Sequence, residues 1–295
     1  MNTSPAPRTP TRRALTRRAM MLSTAAAAAS FTAFGKFGMI DLGVCGKPAD
    51  FSKTAEYGYD YFEPSAAALA AMTDTAFSAF KDQVQASKTK CDSVNILFSG
   101  QNQKVVGPDV NLDAICTYLD STFDRCKAVG TTVVVWGSSG SRRVPDGYSR
   151  DTAWQQIVDY LKRAGPIAKA KGLVIGIEPL RHQESNIINT GAEALKLVHD
   201  VNHPNVKMII DYYHMRIENE DPEIVRTAKD EIVHLHFANP AGRRWPHSAD
   251  EDPVYAKFFE IVKAIKYRGG LSIEGTGTFE ADGAASMAFF KSFLA

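Results

Sequence analysis

The sequence predicts an α/β protein folded as a single (β/α)8 barrel, and three observations carry that reading. Eight short apolar runs alternate with helical stretches along residues 36–295. Most of the runs are unbroken Val, Ile, Leu and aromatic residues, the pattern of parallel strands covered on both faces. No glycine-rich phosphate loop follows the first run, since Gly43-Val44-Cys45-Gly46 lacks that spacing, so an open doubly wound sheet is the lesser alternative. A chain of 295 residues buries such a core without staples, and its four cysteines make no disulfide framework.

In chain order the strands are expected over residues 38–42, 59–63, 93–98, 132–136, 173–178, 207–211, 232–237 and 271–274. Helix signals fall between them. Residues 111–129 put Leu112, Ile115, Cys116, Leu119, Phe123 and Cys126 on one stripe, with Gly130 behind it as a stop. Cys116 and Cys126 lie ten residues apart on that stripe, too far along the axis to bond to each other. Thr190 and Glu193 form a capping box, and Asp221-Pro222 and Asp252-Pro253 each set a capping acid before a helix-starting proline. No Pro-, Ser- or Gly-rich linker interrupts the chain after Phe37, so one domain is expected.

Residues 1–35 stand apart. The first acid is Asp41, and Arg8, Arg12, Arg13, Arg17, Arg18 and Lys36 precede it. Thr16-Arg17-Arg18-Ala19, then Met20-Met21-Leu22 and the alanines 25–29, resemble a bacterial twin-arginine export signal, which implies a periplasmic or secreted protein. An organellar transit peptide, a tail or a membrane tether are the other readings. The apolar run is too short to span a bilayer stably. The net charge of +1 hides this division: without residues 1–30 it falls to −4. A balance so far from basic excludes nucleic acid as the expected partner. A homo-oligomer is left open.

Barrels of this kind carry their chemistry at the C-terminal ends of the strands. The fifth run closes in Glu178, the sixth in Asp211 and the eighth in Glu274, while the seventh reads His234-Leu235-His236, both imidazoles on one face. Singly, each has a bland explanation as a helix cap, an ion-pair member or a structural histidine. Together, three carboxylates converging on one mouth repel one another unless a cation joins them. One divalent ion held by Glu178, Asp211, His236 and Glu274 is expected, Mn²⁺ or Mg²⁺ ahead of Zn²⁺, with Co²⁺ also admissible. Glu63 and Trp136 also close strands and are candidates to line the site and bind substrate, packing or capping being their alternative. Cys45 lies just past the first strand, at the rim or as a buried filler, and Arg142-Arg143 reads as a solvated loop before it reads as an anion contact.

The stretch Glu178-Pro179-Leu180-Arg181-His182-Gln183-Glu184, then Asn189-Thr190, Pro204-Asn205-Val206, Asp211-Tyr212-Tyr213-His214-Met215, His234-Leu235-His236, Arg243 and Ile273-Glu274-Gly275, resembles the sugar phosphate isomerase/epimerase family of xylose-isomerase-like TIM barrels, and most its ketose 3-epimerase branch. The resemblance implies that Glu178, Asp211, His236 and Glu274 hold the metal. It implies further that Glu178 and Glu274 exchange the substrate proton as catalytic acid and base, through a metal-stabilised cis-enediolate. Glu184 and His214 match residues that hold substrate hydroxyls, and Arg243 stands near a substrate-binding arginine, with Arg244 competing for the place. Asn239 stands where many relatives carry Asp, and Tyr212-Tyr213 is a bulkier step than theirs.

The implied function is a sugar isomerase or epimerase. A lyase or dehydratase acting on a keto-sugar, keto-inositol or 3-keto-glycoside would use the same enediolate, and an exported sugar-binding barrel without catalysis is the reading from another class. All seven histidines lie at or after His182, so the histidine-rich zinc cluster of apurinic-site endonucleases is not expected.

Overall fold

The structure, a computed structural model, describes residues 1–2, 40–100 and 103–294. The expected export signal therefore lies, apart from residues 1 and 2, outside the described residues. Among the described residues no helix is long and apolar enough to cross a membrane.

Eight strands make one sheet: β1 Asp41–Gly46, β2 Tyr61–Pro64, β3 Ser93–Val94, β4 Val133–Trp136, β5 Val174–Ile177, β6 Val206–Asp211, β7 Ile232–Phe237 and β8 Gly270–Ile273. All named pairings are parallel, in the order β2-β1-β8-β7-β6-β5-β4-β3. The two end strands meet through short bridges, Tyr61 opposite Lys90 and Ser65 opposite Asn95, so the sheet all but closes on itself. Helices separate consecutive strands, and the expected single-domain TIM barrel is the observed fold.

The strand residues divide by parity. Leu42, Val44, Phe62, Val134, Ile175, Ile177, Met208, Ile210, Leu235, Phe237, Leu271 and Ile273 belong to one large core between the strands and the helices. The alternate residues turn into the barrel. On one side of its interior Val133, Val135 and Ile209 form a small apolar cluster with Val233. On the other side stand Tyr61, Glu63, Ser93, His234, His236 and Ser272, none more than 2% exposed. This barrel is half dry hydrocarbon and half hydrogen-bonded network.

Two strands depart from expectation. The first lies three to four residues later than residues 38–42, because its glycines mark crowding rather than a loop. A Cβ at Gly43 would sit 2.3 Å from the Tyr61 ring, and one at Gly46 2.8 Å from the Phe62 ring. The third ends at Val94 instead of running to 98, since Ile96 adopts φ +45° and turns the chain. Helix signals fare better. In the helix Leu112–Ala128, Asn111 Oδ1 accepts from the Ala114 N–H (3.0 Å), and Gly130 follows at φ +92°. Thr190 Oγ1 accepts from the Glu193 N–H (3.2 Å), but Glu193 returns to the Asn189 N–H (2.6 Å), one residue earlier than a capping box requires. Cys45, Cys91, Cys116 and Cys126 are all free.

At the N-terminal end of the barrel, partial burial and the neighbouring Asp60 and Asp92 raise Asp41 to about 6. A carboxyl whose folded pKa exceeds its unfolded value destabilises the fold increasingly as pH rises from about 4 to about 6, and fully above that. The full shift corresponds to roughly 3 kcal/mol, which solvent screening at this half-exposed position reduces to roughly 1 kcal/mol. Asp41→Asn is expected to raise the melting temperature by a few degrees at pH 8 and to leave it unchanged at pH 4, as read by calorimetry at both pH values.

Candidate active site

Glu178 follows β5 directly, its N–H bonded to Trp136 O (3.2 Å) at the end of β4. Its side chain fits only because residue 137 is glycine: a Cβ there would lie 1.6 Å from Glu178 Oε2. Asp211 closes β6 and at the same time caps the helix Tyr212–Ile217, Oδ1 accepting from the Tyr213 (2.6 Å) and His214 (3.3 Å) N–H groups. That leaves Oδ2 buried and without a hydrogen bond, 3.8 Å from the Arg243 guanidinium. His236, inside β7, turns Nδ1 toward Glu178 Oε1 (3.1 Å) and Glu274 Oε2 (3.3 Å). Glu274, just past β8, accepts from Asn95 Nδ2 (2.9 Å) on Oε1 and from the Arg243 guanidinium (2.8 Å) on Oε2.

One ligand atom from each of Glu178, Asp211, His236 and Glu274 lies within 4.8 Å of the other three. Three carboxylates and an imidazole so placed suit a hard divalent cation, and the orphaned Asp211 Oδ2 is an acceptor such an ion would satisfy. The electrostatics of the four donors carry the same imbalance. Burial and the neighbouring Glu274 raise Glu178, and burial raises Asp211 to about 6 against the pull of Arg243. Glu274 is held down to about 2, since the charges of His236 and Arg243 outweigh its burial. Burial opposes a charge on His236, yet Glu63 and Glu274 keep its pKa well above the usual histidine range.

The remaining expected residues divide. His214 is 1% exposed, and burial lowers it to about 4, so its ring is neutral at pH 7. Its Nδ1 accepts from the Arg181 N–H (3.2 Å), which leaves Nε2–H a buried donor without a hydrogen bond, 3.6 Å from Asp211 Oδ2. Glu184 accepts from Arg181 Nε (2.7 Å) and Arg243 (3.4 Å). Of the two competing arginines, Arg243 reaches the site and lies over the Tyr213 ring, 5.0 Å from its centroid, whereas Arg244 pairs outward with Glu251. The bulky Tyr213 thus carries Arg243. Asn239 does not support His236; its Oδ1 accepts from the Ala241 N–H (2.8 Å) and shapes the loop that presents Arg243.

Glu63 and Trp136 are not at the surface of the cleft. Trp136 points outward into the core beside Tyr160, bonded to Ser141 Oγ (3.1 Å), because it shares the parity of Val134, on the side of β4 that faces the helices. Glu63 is fully buried in the barrel interior, with both oxygens engaged by protein donors. Neither is placed to touch substrate. Arg142 is no solvated loop residue either. It is fully buried, donating to the backbone oxygens of Trp136 (3.2 Å) and Glu178, and burial lowers it only to about 10, so it stays charged beneath Glu178. Arg143 is exposed as expected. Sequence reasoning passed over Asn95, Gly137 and Ser272. Asn95 and Ser272 stand at period two from Ser93 and Glu274 on the inward face, which was the available signal; Gly137 offered none.

Glu178, Glu184 and Glu274, with Arg243, line an open cleft of about 490 Å³. Ile96, Phe98, Lys104 and the run Gly137 to Ser141 line the rest.

A closed barrel with a carboxylate-rich mouth of this kind defines a class of proteins, and the chain's place within it follows from comparison. Residues 51–293 match the xylose isomerase-like TIM barrel family, and the chain belongs to that family. An L-ribulose 3-epimerase of Methylomonas sp. is 35% identical over 41% of this chain and 40% of its own length. A D-psicose 3-epimerase of Ruminiclostridium cellulolyticum is 25% identical over 75% of each chain. The crystal structure of a 3-keto-D-glucoside 4-epimerase from E. coli superposes with a TM-score of 0.73 over 86% of this chain and 99% of that one, at 19% identity, a likeness of fold.

Gly137→Ala is expected to displace the Glu178 carboxylate and weaken divalent-cation binding by at least about tenfold. Titration with Mn²⁺ measures it, and wild-type affinity in the variant would show that Glu178 does not need the space.

Proposed function

We propose that this chain is a divalent-metal-dependent sugar isomerase or epimerase of the ketose 3-epimerase kind. The observation that carries the reading is the pair Glu178 and Glu274, from the ends of β5 and β8, both facing His236 Nδ1 and both lining a sugar-sized cleft. The 3-epimerase names of the relatives support it.

Glu178, Asp211, His236 and Glu274 would hold the ion, with Mn²⁺ proposed and Mg²⁺ or Co²⁺ fitting the same donors. When bound, a divalent cation supplies Lewis acidity that offsets the charge of an enediolate. The protein groups do the rest. Glu178, whose proton affinity burial raises, is suited to take the proton from carbon beside a carbonyl. Glu274, oriented by Asn95 and Arg243, is its partner on another side of that carbon: carrying a proton it returns one, and ionised, as His236 and Arg243 favour, it is the base for the reverse direction with protonated Glu178 as the acid. The neutral His214 offers Nε2–H to a substrate hydroxyl, and Glu184 with Arg243 offers an acceptor and a donor beside it. Return to the same carbon gives epimerisation, and return to its neighbour gives aldose-ketose isomerisation.

A keto-glycoside in place of a free ketose is the second reading. It is favoured by the cleft, whose lining includes, besides the acids, Ile96, Phe98 and Ser138 to Ser141, wall that a second group on the sugar could use. In D₂O the Mn²⁺-loaded protein is expected to place deuterium on the carbon next to the carbonyl of its substrate, and Glu274→Gln to lower that exchange by at least about 100-fold with the fold retained. Free ketoses and 3-keto-glycosides run side by side separate the two readings. A dehydrated product would mean a lyase, and binding without exchange a sugar-binding barrel.

Export through Arg17-Arg18 is part of the same proposal, and an extracytoplasmic site suits a non-phosphorylated sugar. Replacing both arginines by lysine should retain the protein in the cytoplasm on fractionation; unchanged location would refute the signal.

A further inference from the structure

The two ring nitrogens of His236 have opposite surroundings. Nδ1 faces the carboxylates of Glu178 and Glu274, whereas Nε2 points into the barrel, 2.9 Å from Glu63 Oε1. Glu63 is held from three strands. Its Oε2 accepts from Ser93 Oγ (2.7 Å) on β3, from His234 Nε2 (2.8 Å) on β7 and from Ser272 Oγ on β8. The Ser272 hydroxyl, having given its proton to Glu63, accepts from Tyr61 Oη (2.7 Å). Room for Tyr61 is secured by Gly43 and by Gly270, where a Cβ would stand 2.6 Å from the tyrosine hydroxyl.

The distribution is uneven in an informative way. Among the described residues, three donors pin one oxygen of Glu63, and His236 alone hydrogen-bonds the other. A buried carboxylate needs its lone pairs satisfied, but that need alone does not require one oxygen to be kept for one nitrogen of one imidazole. In the neutral imidazole that a metal ligand must be, an acceptor at Nε2 places the one remaining ring proton there, and so leaves the Nδ1 lone pair directed at the carboxylate cluster.

We infer that Glu63 is a positioning residue for the divalent cation, fixing the tautomer and the ring plane of His236 so that Nδ1 is presented as a ligand. The inference rests on the metal reading proposed above. Glu63 itself touches neither the cleft nor the four-ligand cluster except through His236. A second cation among Cys45 Sγ, Glu63 and His236 Nε2, which also lie within 4.8 Å of one another, competes poorly: the Glu63 oxygens are already taken, and burial keeps the Cys45 thiol protonated.

The test is Mn²⁺ titration by calorimetry of full-length wild type and Glu63→Gln, with circular dichroism and melting of the chelated proteins as the check on folding. Glutamine keeps the shape but replaces one acceptor oxygen by a donor. Expected are one Mn²⁺ per chain in both, a dissociation constant about 10- to 100-fold weaker in the variant, and turnover restored by excess Mn²⁺ with the sugar KM unchanged. Equal Mn²⁺ affinity in folded Glu63→Gln would overturn the inference. So would a raised sugar KM at saturating Mn²⁺, which would make Glu63 a substrate contact, or a second equivalent of Mn²⁺ lost in Cys45→Ala. If Glu63→Gln does not fold, Ser272→Ala carries the test: it removes one anchor from Oε2 and should weaken Mn²⁺ binding, and unchanged binding would again overturn the inference. A wild type that binds no divalent cation would instead remove the metal reading itself.

Discussion

The mutual repulsion of three carboxylates gathered at one end of a closed barrel is the constraint around which the rest of the site is arranged. Glu178, Asp211 and Glu274 come from strand ends brought together by the circular order of the sheet, and burial strengthens their repulsion. The protein answers with positive charge in graded positions. Arg243 reaches Glu274 directly, and Arg142 lies under the backbone of Glu178. His236 sits between Glu178 and Glu274. Asp211 Oδ2 is still left buried without a hydrogen bond, 3.8 Å from the Arg243 guanidinium and 3.6 Å from His214 Nε2, and that residual demand fits a cation of the kind proposed.

Holding this cluster in place shapes the barrel well below its mouth. An ordinary barrel of this type fills its interior with branched apolar side chains. Here Val133, Val135 and Ile209 fill one side in that way, while the other is a polar network from Tyr61 through Ser272 and Glu63 to His234 and His236. A buried network of this kind is stable only when every member is satisfied, and it then has few alternative packings. The glycines at 43 and 270 belong to the same design, since each gives its Cβ space to the Tyr61 ring. The backbone is likewise bent to serve the site. Ile96 and Arg243 both take positive φ, an uncommon conformation for such residues, one at the cleft wall and the other at the arginine that meets Glu274.

Much of this was legible in the chain. The strands announced themselves as continuous apolar runs, and an acid or histidine closing four of them in succession pointed to a shared mouth, since strand-end position in a barrel converts directly into spatial convergence. What was misread was read too locally. Gly43 and Gly46 looked like a loop because the aromatic rings that require them arrive from the neighbouring strand. Trp136 looked like a pocket wall until its parity along β4 placed it under the helices. Arg142 looked solvated because nothing in sequence shows that two backbone oxygens wait for it in the core.

The sequence by itself determined the barrel, the order of its strands and the identity of the four clustered donors, because periodicity and strand-end chemistry are local properties. Only the tertiary structure decided which nitrogen of His236 faces the carboxylates, that Glu63 rather than Asn239 stands behind that ring, that Arg243 rather than Arg244 turns inward, and that Gly137 makes room for Glu178. The inward contacts among them join residues 31 to 173 positions apart, where side-chain direction and available volume, not residue type, select the partner.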